Sequence, residues 1–167
     1  MPVPSWDLTL GVIFLTGIAF GYILQREKIV ATLLSAYVAL IITQAVAGNI
    51  QDFFQGERTI NQFWLHFNAS SFSVRTTVFL GTIVLLSSQA PFGGEKAKGL
   101  LTPLEIIIYS ILTTGLIVCS VFYFMPAETR LAFTESSKIA ALVIKNYTIW
   151  LVAPAGFMIV SSFFKKD

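Results

Sequence analysis

The stretch LTLGVIFLTGIAFGYIL (8–24), the four polar residues QREK (25–28) and the stretch IVATLLSAYVALIITQAV (29–46) decide the fold of this chain. A helix rises about 1.5 Å per residue, so roughly 20 apolar residues cross a bilayer core about 30 Å thick. Both stretches are close to that length. Because a four-residue connection leaves room only for a tight reversal, we expect two antiparallel neighbours. The sequence therefore predicts a helical hairpin over residues 5–47.

Three further apolar blocks follow the hairpin, at 74–89, 104–124 and 139–164. Hydrophobic residues make up 55% of the 167 residues and charged residues 12%, against about 25% charged in soluble domains. The net charge is only +2, and the basic residues are dispersed, which excludes nucleic acid as a partner. The predicted fold class is an all-α, polytopic integral membrane protein of four to five transmembrane helices with an interfacial amphipathic helix.

The interfacial helix is predicted within residues 48–73, the longest segment outside the apolar blocks. Its hydrophobic residues recur at i, i+3, i+4 and i+7, which is typical of a helix with one apolar face. Such a helix lies on the membrane surface with its aromatic side chains at the headgroup boundary. The residues assigned to this contact are Ile60, Phe63, Trp64 and Phe67.

The second half of the chain is predicted to contain spans at 74–89 and 103–125, a surface segment at 126–146 and a C-terminal hydrophobic segment at 147–164. Thr102-Pro-Leu-Glu105 is a capping box that opens the fourth block. The last third allows two interpretations: one tilted span kinked at Pro154, or an amphipathic segment up to Asn146 followed by a short span. We favour a fifth span, with Lys145 at its boundary, because a charge in mid-span is costly.

Small residues in the first two blocks predict close helix packing. Gly17 and Gly21 form a GxxxG pair, and the second block has a small residue at every fourth position. Small side chains let two helix backbones approach closely. We expect the glycine pair to face the row of small residues across the hairpin. That row is Ala31, Ser35, Ala39, Thr43 and Ala47.

The sequence assigns no catalytic residue, cofactor or metal ligand, and it favours a protein that is not an enzyme. His66 is the only histidine and Cys119 the only cysteine, too few for a metal cluster or a nucleophile–base pair. Asp7 and Glu105 lie at the starts of apolar blocks, where the helix dipole favours a negative charge. Both carboxylates are therefore interpreted as helix-capping groups.

Two functions remain open at this stage. The first is a non-enzymatic protein that acts through helix packing and assembly, as a homo-oligomer or with a membrane-protein partner. The second is a small channel or transporter, which needs polar side chains that face a common interior. The candidates for that interior are Thr16, Ser35, Thr43, Gln44, Thr82, Thr113 and Thr114.

The orientation follows weakly from the positive charges, because positive residues favour the cytoplasmic side. Five spans with the first connection inside place six Lys and Arg residues inside and five outside. The residues before the first block include no Lys or Arg, whereas the first connection has two. The charges therefore give a slight preference for an N-terminus outside.

The order of these features also resembles a known family. The residues that carry the likeness are Trp6-Asp7, Gly21 with Arg26 and Glu27, the third span led by Arg75, and Phe122–Met125 at the end of the fourth. Over roughly residues 5–150 the chain resembles the colicin V production protein (CvpA-like) family of bacterial inner-membrane proteins. The family's Arg-Gly pair is replaced by Gln25-Arg26, and its Asp-Arg…Gly signature by Thr102-Pro-Leu-Glu105, so no site is carried over. The resemblance implies an envelope-associated role linked to peptide-toxin export and stress phenotypes, without enzymatic activity.

Overall fold

The computed structural model describes residues 5–54, 70–89 and 102–163, and these ranges are helical with no strand. Four helical stretches are long and apolar enough to cross a membrane, and a bent pair of helices makes a fifth if it counts as one span. The predicted class, a helical membrane protein of four to five spans, is confirmed. The helices are α1 (Trp6–Phe54), α2 (Ser71–Gln89), α3 (Thr102–Phe124), α4 (Ala127–Ser136), α5 (Lys138–Lys145) and α6 (Tyr147–Phe163).

Helix α1 contains both of the first two apolar blocks, and it folds back on itself. The ring centre of Phe14 lies 6.1 Å from that of Trp150. The hydroxyl of Tyr37 donates a hydrogen bond to the carbonyl of Leu151, the residue that follows Trp150. In a straight helix, residues 14 and 37 would lie about 35 Å apart. The Cδ1 atom of Ile29 also lies 3.3 Å from the position that a Cβ would take on Gly21. The two halves of α1 therefore run side by side, and the chain reverses between residues 21 and 29.

The reversal in α1 coincides with the polar break expected at 25–28, but it is a sharp bend of the helix axis and not a separate loop. The backbone is helical through this segment. Gln, Arg, Glu and Lys are all good helix formers, and neither glycine nor proline is present to end the helix. The polar residues thus mark the boundary between two membrane-crossing stretches, Trp6–Ile23 and Glu27–Ile50, and the helix axis turns back at this boundary.

Helix α3 is the centre of the bundle. In the membrane-crossing stretch of α3, 56% of the residues are buried, compared with 11% in the first stretch of α1 and 17% in α2. Tyr109 and Leu116 of α3 are almost completely buried, and Tyr109 packs edge-on against Phe157 of α6. Phe79 of α2 packs in the same way against Phe124. The first half of α1 and helix α2 consequently form the outer part of the bundle, with most of their surface exposed.

The sharp bend in the last third of the chain lies at Asn146 and not at Pro154, and α5 and α6 make a fifth span when the bent pair is counted as one; the choice between the two interpretations stays a prediction. Helices α5 and α6 meet at an angle of 69°, and Asn146 ends α5. Pro154 is buried inside α6. It removes one backbone donor from this turn, and Tyr37 of α1 supplies a hydroxyl donor to the neighbouring carbonyl of Leu151. A neighbouring helix thus supports the proline-containing turn, as is usual in membrane helices.

The predicted surface segment, 126–146, consists of two helices. Helix α4 has no buried residue, whereas Ala140 and Val143 of α5 belong to the core. Ser137, between the two helices, is extended and caps the start of α5. Only α4 therefore fits the prediction of a surface location.

Candidate functional site

Gly17 and Gly21 pack mainly against α3, not against the row of small residues in the second half of α1 as expected; from that half, Ile29 lies close to Gly21. A Cβ on Gly17 would overlap the side chain of Thr114, and one on Gly21 would overlap Ser110. Ser110 and Thr114 are themselves four residues apart, so their small side chains match the glycine pair in reverse order. The close helix contact exists, but its partner is α3.

The row of small residues in the second half of α1 lies mostly inside the same protomer. Ser35 is 7% exposed, Ala39 0% and Thr43 1%, while Ala31 is half-buried. The hydroxyl of Ser35 donates its hydrogen bond to the carbonyl of Ala31 in the same helix, so this proton is not used in a bond to another helix. This row packs inside the protomer, so most of it is not accessible to a second chain.

The interfacial residues Ile60, Phe63, Trp64 and Phe67 lie outside the described residues, as does His66. The prediction of an amphipathic surface helix therefore stays a prediction.

The polar residues predicted for a channel differ in their exposure in the described part of the chain. Thr16 and Gln44 are exposed on the outside of the bundle. Thr16 and Thr82 donate to carbonyls of their own helices, which is the usual state of hydroxyls in membrane helices. Thr43 and Thr113 are buried, and their hydroxyls have no hydrogen-bond partner among the described residues.

A polar junction joins the start of α1 to the start of α5. The Oδ1 atom of Asp7 accepts hydrogen bonds from the hydroxyl of Ser137 at 2.6 Å and from the backbone N–H of Ile139 at 3.0 Å. The Ser137 hydroxyl in turn accepts from the N–H of Ala140. Asp7 lies in the first turn of its own helix, as expected, but its carboxylate caps α5, where the helix dipole favours a negative charge.

Next to this junction, the end of α3 lies between two recesses that share Tyr123. The first recess, of about 250 Å³, is lined by Cys119, Phe122, Tyr123, Arg130, Ile144 and Tyr147. Arg130 lies 5.5 Å from the centre of the Tyr123 ring, within reach of a cation–π contact. Tyr123 also stacks on Tyr147. The aromatic rings thus form the wall between the two recesses.

The second recess is larger, about 490 Å³, and lies between the start of α2 and the turn from α3 to α4. It combines an arginine, three serine or threonine residues and a tyrosine with an apolar wall. Its lining residues are Ser70, Ser71, Phe72, Arg75, Tyr123, Phe124, Met125, Pro126 and Thr129. We call it the Arg75 recess. No acidic residue of the described part of the chain lines it.

The groups around the Arg75 recess offer a positive charge and hydroxyls to an anion. Within the described ranges, no group of three or more His, Cys, Asp and Glu side chains is placed to hold a metal ion. The sequence shows Arg75 near the start of a predicted span. It does not show that Thr129 lies beside Arg75, because the two residues are far apart in the chain. Comparison of the chain with protein families, with curated proteins and with solved structures gives no match.

Proposed function

We propose that this protein is a non-enzymatic integral membrane protein that acts by self-association through the exposed face of α2. The observation that carries the proposal is a row of small residues on that face. Ser73, Thr77 and Gly81 follow one another at intervals of four, and all three are exposed. A Cβ on Gly81 would meet nothing within 4 Å. The backbone at this point is therefore open to a neighbouring helix.

The structure separates this row from the small residues of α1. The glycine pair of α1 is covered by α3, and the row in the second half of α1 is largely buried. Among the rows discussed on the described helices, the row on α2 combines small residues with an exposed surface, on a helix of which 17% is buried. It is the best surface on the described helices for close approach by a second copy.

Self-association through such a row has a physical cause. Small side chains let two helices approach closely, which increases dispersion contacts along both backbones. Hydroxyls such as that of Thr77 gain hydrogen-bond partners across a helix pair that hydrocarbon tails cannot supply. A second copy of the same face provides both kinds of contact, and a two-fold arrangement pairs each face with itself.

The experiment measures the oligomeric state of the full chain in liposomes by single-molecule photobleaching. We expect the wild type to form dimers or larger assemblies. Gly81→Leu inserts a bulky side chain into the row and should weaken the association at least tenfold. Gly11→Leu is the matched control, because a Cβ on Gly11 also meets nothing within 4 Å but lies outside the row. A monomeric wild type, or equal effects of both variants, would refute the proposal.

The likeness to CvpA-like proteins supports a role in the bacterial envelope, and we place the assembly in the inner membrane. Under this proposal the oligomer is a component of an envelope or export complex and has no chemistry of its own. Crosslinking in bacterial cells followed by purification of the full chain tests the point. Partners from the envelope that are retained by wild type and by Gly11→Leu support it, whereas their absence from both contradicts it.

A further inference from the structure

We propose that the Arg75 recess binds the phosphate group of an anionic membrane lipid. The recess lies where α2 begins, at Ser71, and where α3 ends, at Phe124. Both helices are long and apolar enough to cross a membrane, so their ends lie at the depth of the lipid headgroups. A phosphate of the surrounding bilayer is therefore the ligand nearest to the recess.

The charge of the recess favours an anion. Arg75 is exposed and lies in the second turn of α2, and it forms no ion pair with any carboxylate of the described residues. The side chains of a helix tilt toward its N-terminus, which directs the guanidinium of Arg75 toward the bundle end. Arginine is well suited to phosphate because it presents several N–H donors in a planar fork.

Further donors surround the arginine. Ser70, Ser71 and Thr129, which carry hydroxyls, line the recess, and the Ser70 hydroxyl also accepts a hydrogen bond from the N–H of Ser73. Helix α4, which has ten residues, begins beside it after Pro126, and no side chain of the described residues caps its first N–H groups. Uncapped N–H groups at a helix start are good partners for a phosphate. A phosphate in this place would thus have partners from both α2 and α4.

The apolar wall explains why the ligand is a lipid. Phe72, Phe124 and Met125 line the recess next to the polar groups, and the exposed sides of α2 continue from it along the bundle. Its volume of about 490 Å³ is within the range of about 300–1,000 Å³ for small-molecule sites. A free phosphate would use the donors and leave the apolar wall without a contact, whereas a phospholipid uses both.

The test measures lipid binding to the full chain in detergent by native mass spectrometry. The probes are dioctanoyl phosphatidylglycerol, dioctanoyl phosphatidylcholine and inorganic phosphate. We expect one tightly bound phosphatidylglycerol, with phosphatidylcholine at least tenfold weaker. Arg75→Gln should weaken phosphatidylglycerol binding at least tenfold, and Arg75→Lys, which keeps the charge but loses the fork, should do so less. Thr129→Val removes a donor from the opposite wall and should weaken binding several-fold.

Lys145→Gln is the matched control for loss of one positive charge, because Lys145 is exposed and lies outside the recess. It should change the affinity less than twofold. Equal weakening by Lys145→Gln and Arg75→Gln would mean general attraction between charges and would overturn the proposal. Unchanged binding in Arg75→Gln would overturn it too. Displacement of phosphatidylglycerol by equimolar inorganic phosphate would identify a free-anion site and contradict the lipid.

Discussion

The first half of α1 and helix α2 both carry small residues four positions apart, but they use them in opposite ways. Gly17 and Gly21 of α1 lie so close to α3 that no side chain fits between the helices, whereas Gly81 of α2 has open space around it. The pattern of small residues therefore allows another helix to approach closely. Which helix does so depends on where the patterned helix lies in the bundle. The inner contact stabilises the protomer, and the outer row is available for another chain.

This difference gives distinct expectations for the same kind of substitution. A larger side chain at an inner glycine must displace a neighbouring helix, which lowers the free energy of unfolding. A larger side chain on the outer row changes contacts with lipid or with another copy, and it leaves the protomer intact. Stability and association should respond separately in the two regions.

The largest expected effect is at Gly115 of α3. A Cβ on Gly115 would overlap the ring of Trp150 on α6, and this half-buried ring also packs beside Phe14 of α1, so its displacement disturbs the contact between the helices. Gly115→Ala should lower the free energy of unfolding by about 3 kcal/mol, the upper part of the usual range for overpacking. Thermal unfolding in detergent, followed by circular dichroism, measures the change. Gly156→Ala is the control, because its Cβ meets nothing within 4 Å; an equal loss there would argue against a steric cause.

A smaller effect is expected at the contact between α1 and α3. Gly21→Ala should cost about 1–3 kcal/mol, because the new methyl group overlaps the side chain of Ser110. Ser110→Gly in the same chain removes the overlapping atoms and should restore much of the stability. The coupling between the two changes is measured by a double-mutant cycle. Additive losses, without restoration, would show that the two residues do not face each other.

The junction between α1 and α5 should contribute less. Ser137→Ala removes the N-cap of α5 together with its hydrogen bond to Asp7, and such substitutions cost about 0.5–2 kcal/mol. Asp7→Asn should weaken the same junction, because the charge at the helix start is lost. Hydrogen exchange at the N–H groups of Ile139 and Ala140 reports the loss locally. Unchanged protection in both variants would contradict the capping role.

The smallest stability effect is expected at Tyr37. Tyr37→Phe removes only the hydroxyl that donates to the carbonyl of Leu151 in α6, which should cost about 0.5–1.5 kcal/mol. The measurement is the same thermal unfolding series. A loss as large as that of Gly115→Ala would mean that the hydrogen bond, and not packing, holds α6 to the bundle.

The sequence predicts the spans well because length and hydropathy alone decide whether a helix can cross a membrane. It also predicts the chain reversal between the first two blocks, and it predicts that Gly17 and Gly21 lie at a close helix contact. The partner of that pair is not predictable, since any close helix with small residues satisfies it, and Ser110 and Thr114 are distant in the chain.

The polar groups of the candidate site were predictable only in part. Asp7 is recognisable as a carboxylate at a helix start, but its own helix and a distant one offer the same kind of N–H partner. The structure assigns it to Ser137 and Ile139. The Arg75 recess forms from the starts of α2 and α4, whose proximity depends on how α3 ends at Phe124. No local sequence pattern predicts that these two helix starts lie close together.

Disulfide crosslinking at Gly81 tests the central claim, that the outer row joins two copies, most directly. In a background of Cys119→Ala, which removes the only cysteine, Gly81→Cys and Gly11→Cys are each oxidised in native membranes. A disulfide needs Cα atoms within about 7 Å of each other, a distance that a close helix pair centred on Gly81 provides. We predict a covalent dimer from Gly81→Cys and none from Gly11→Cys. Monomer in both, or equal dimer in both, would contradict the claim.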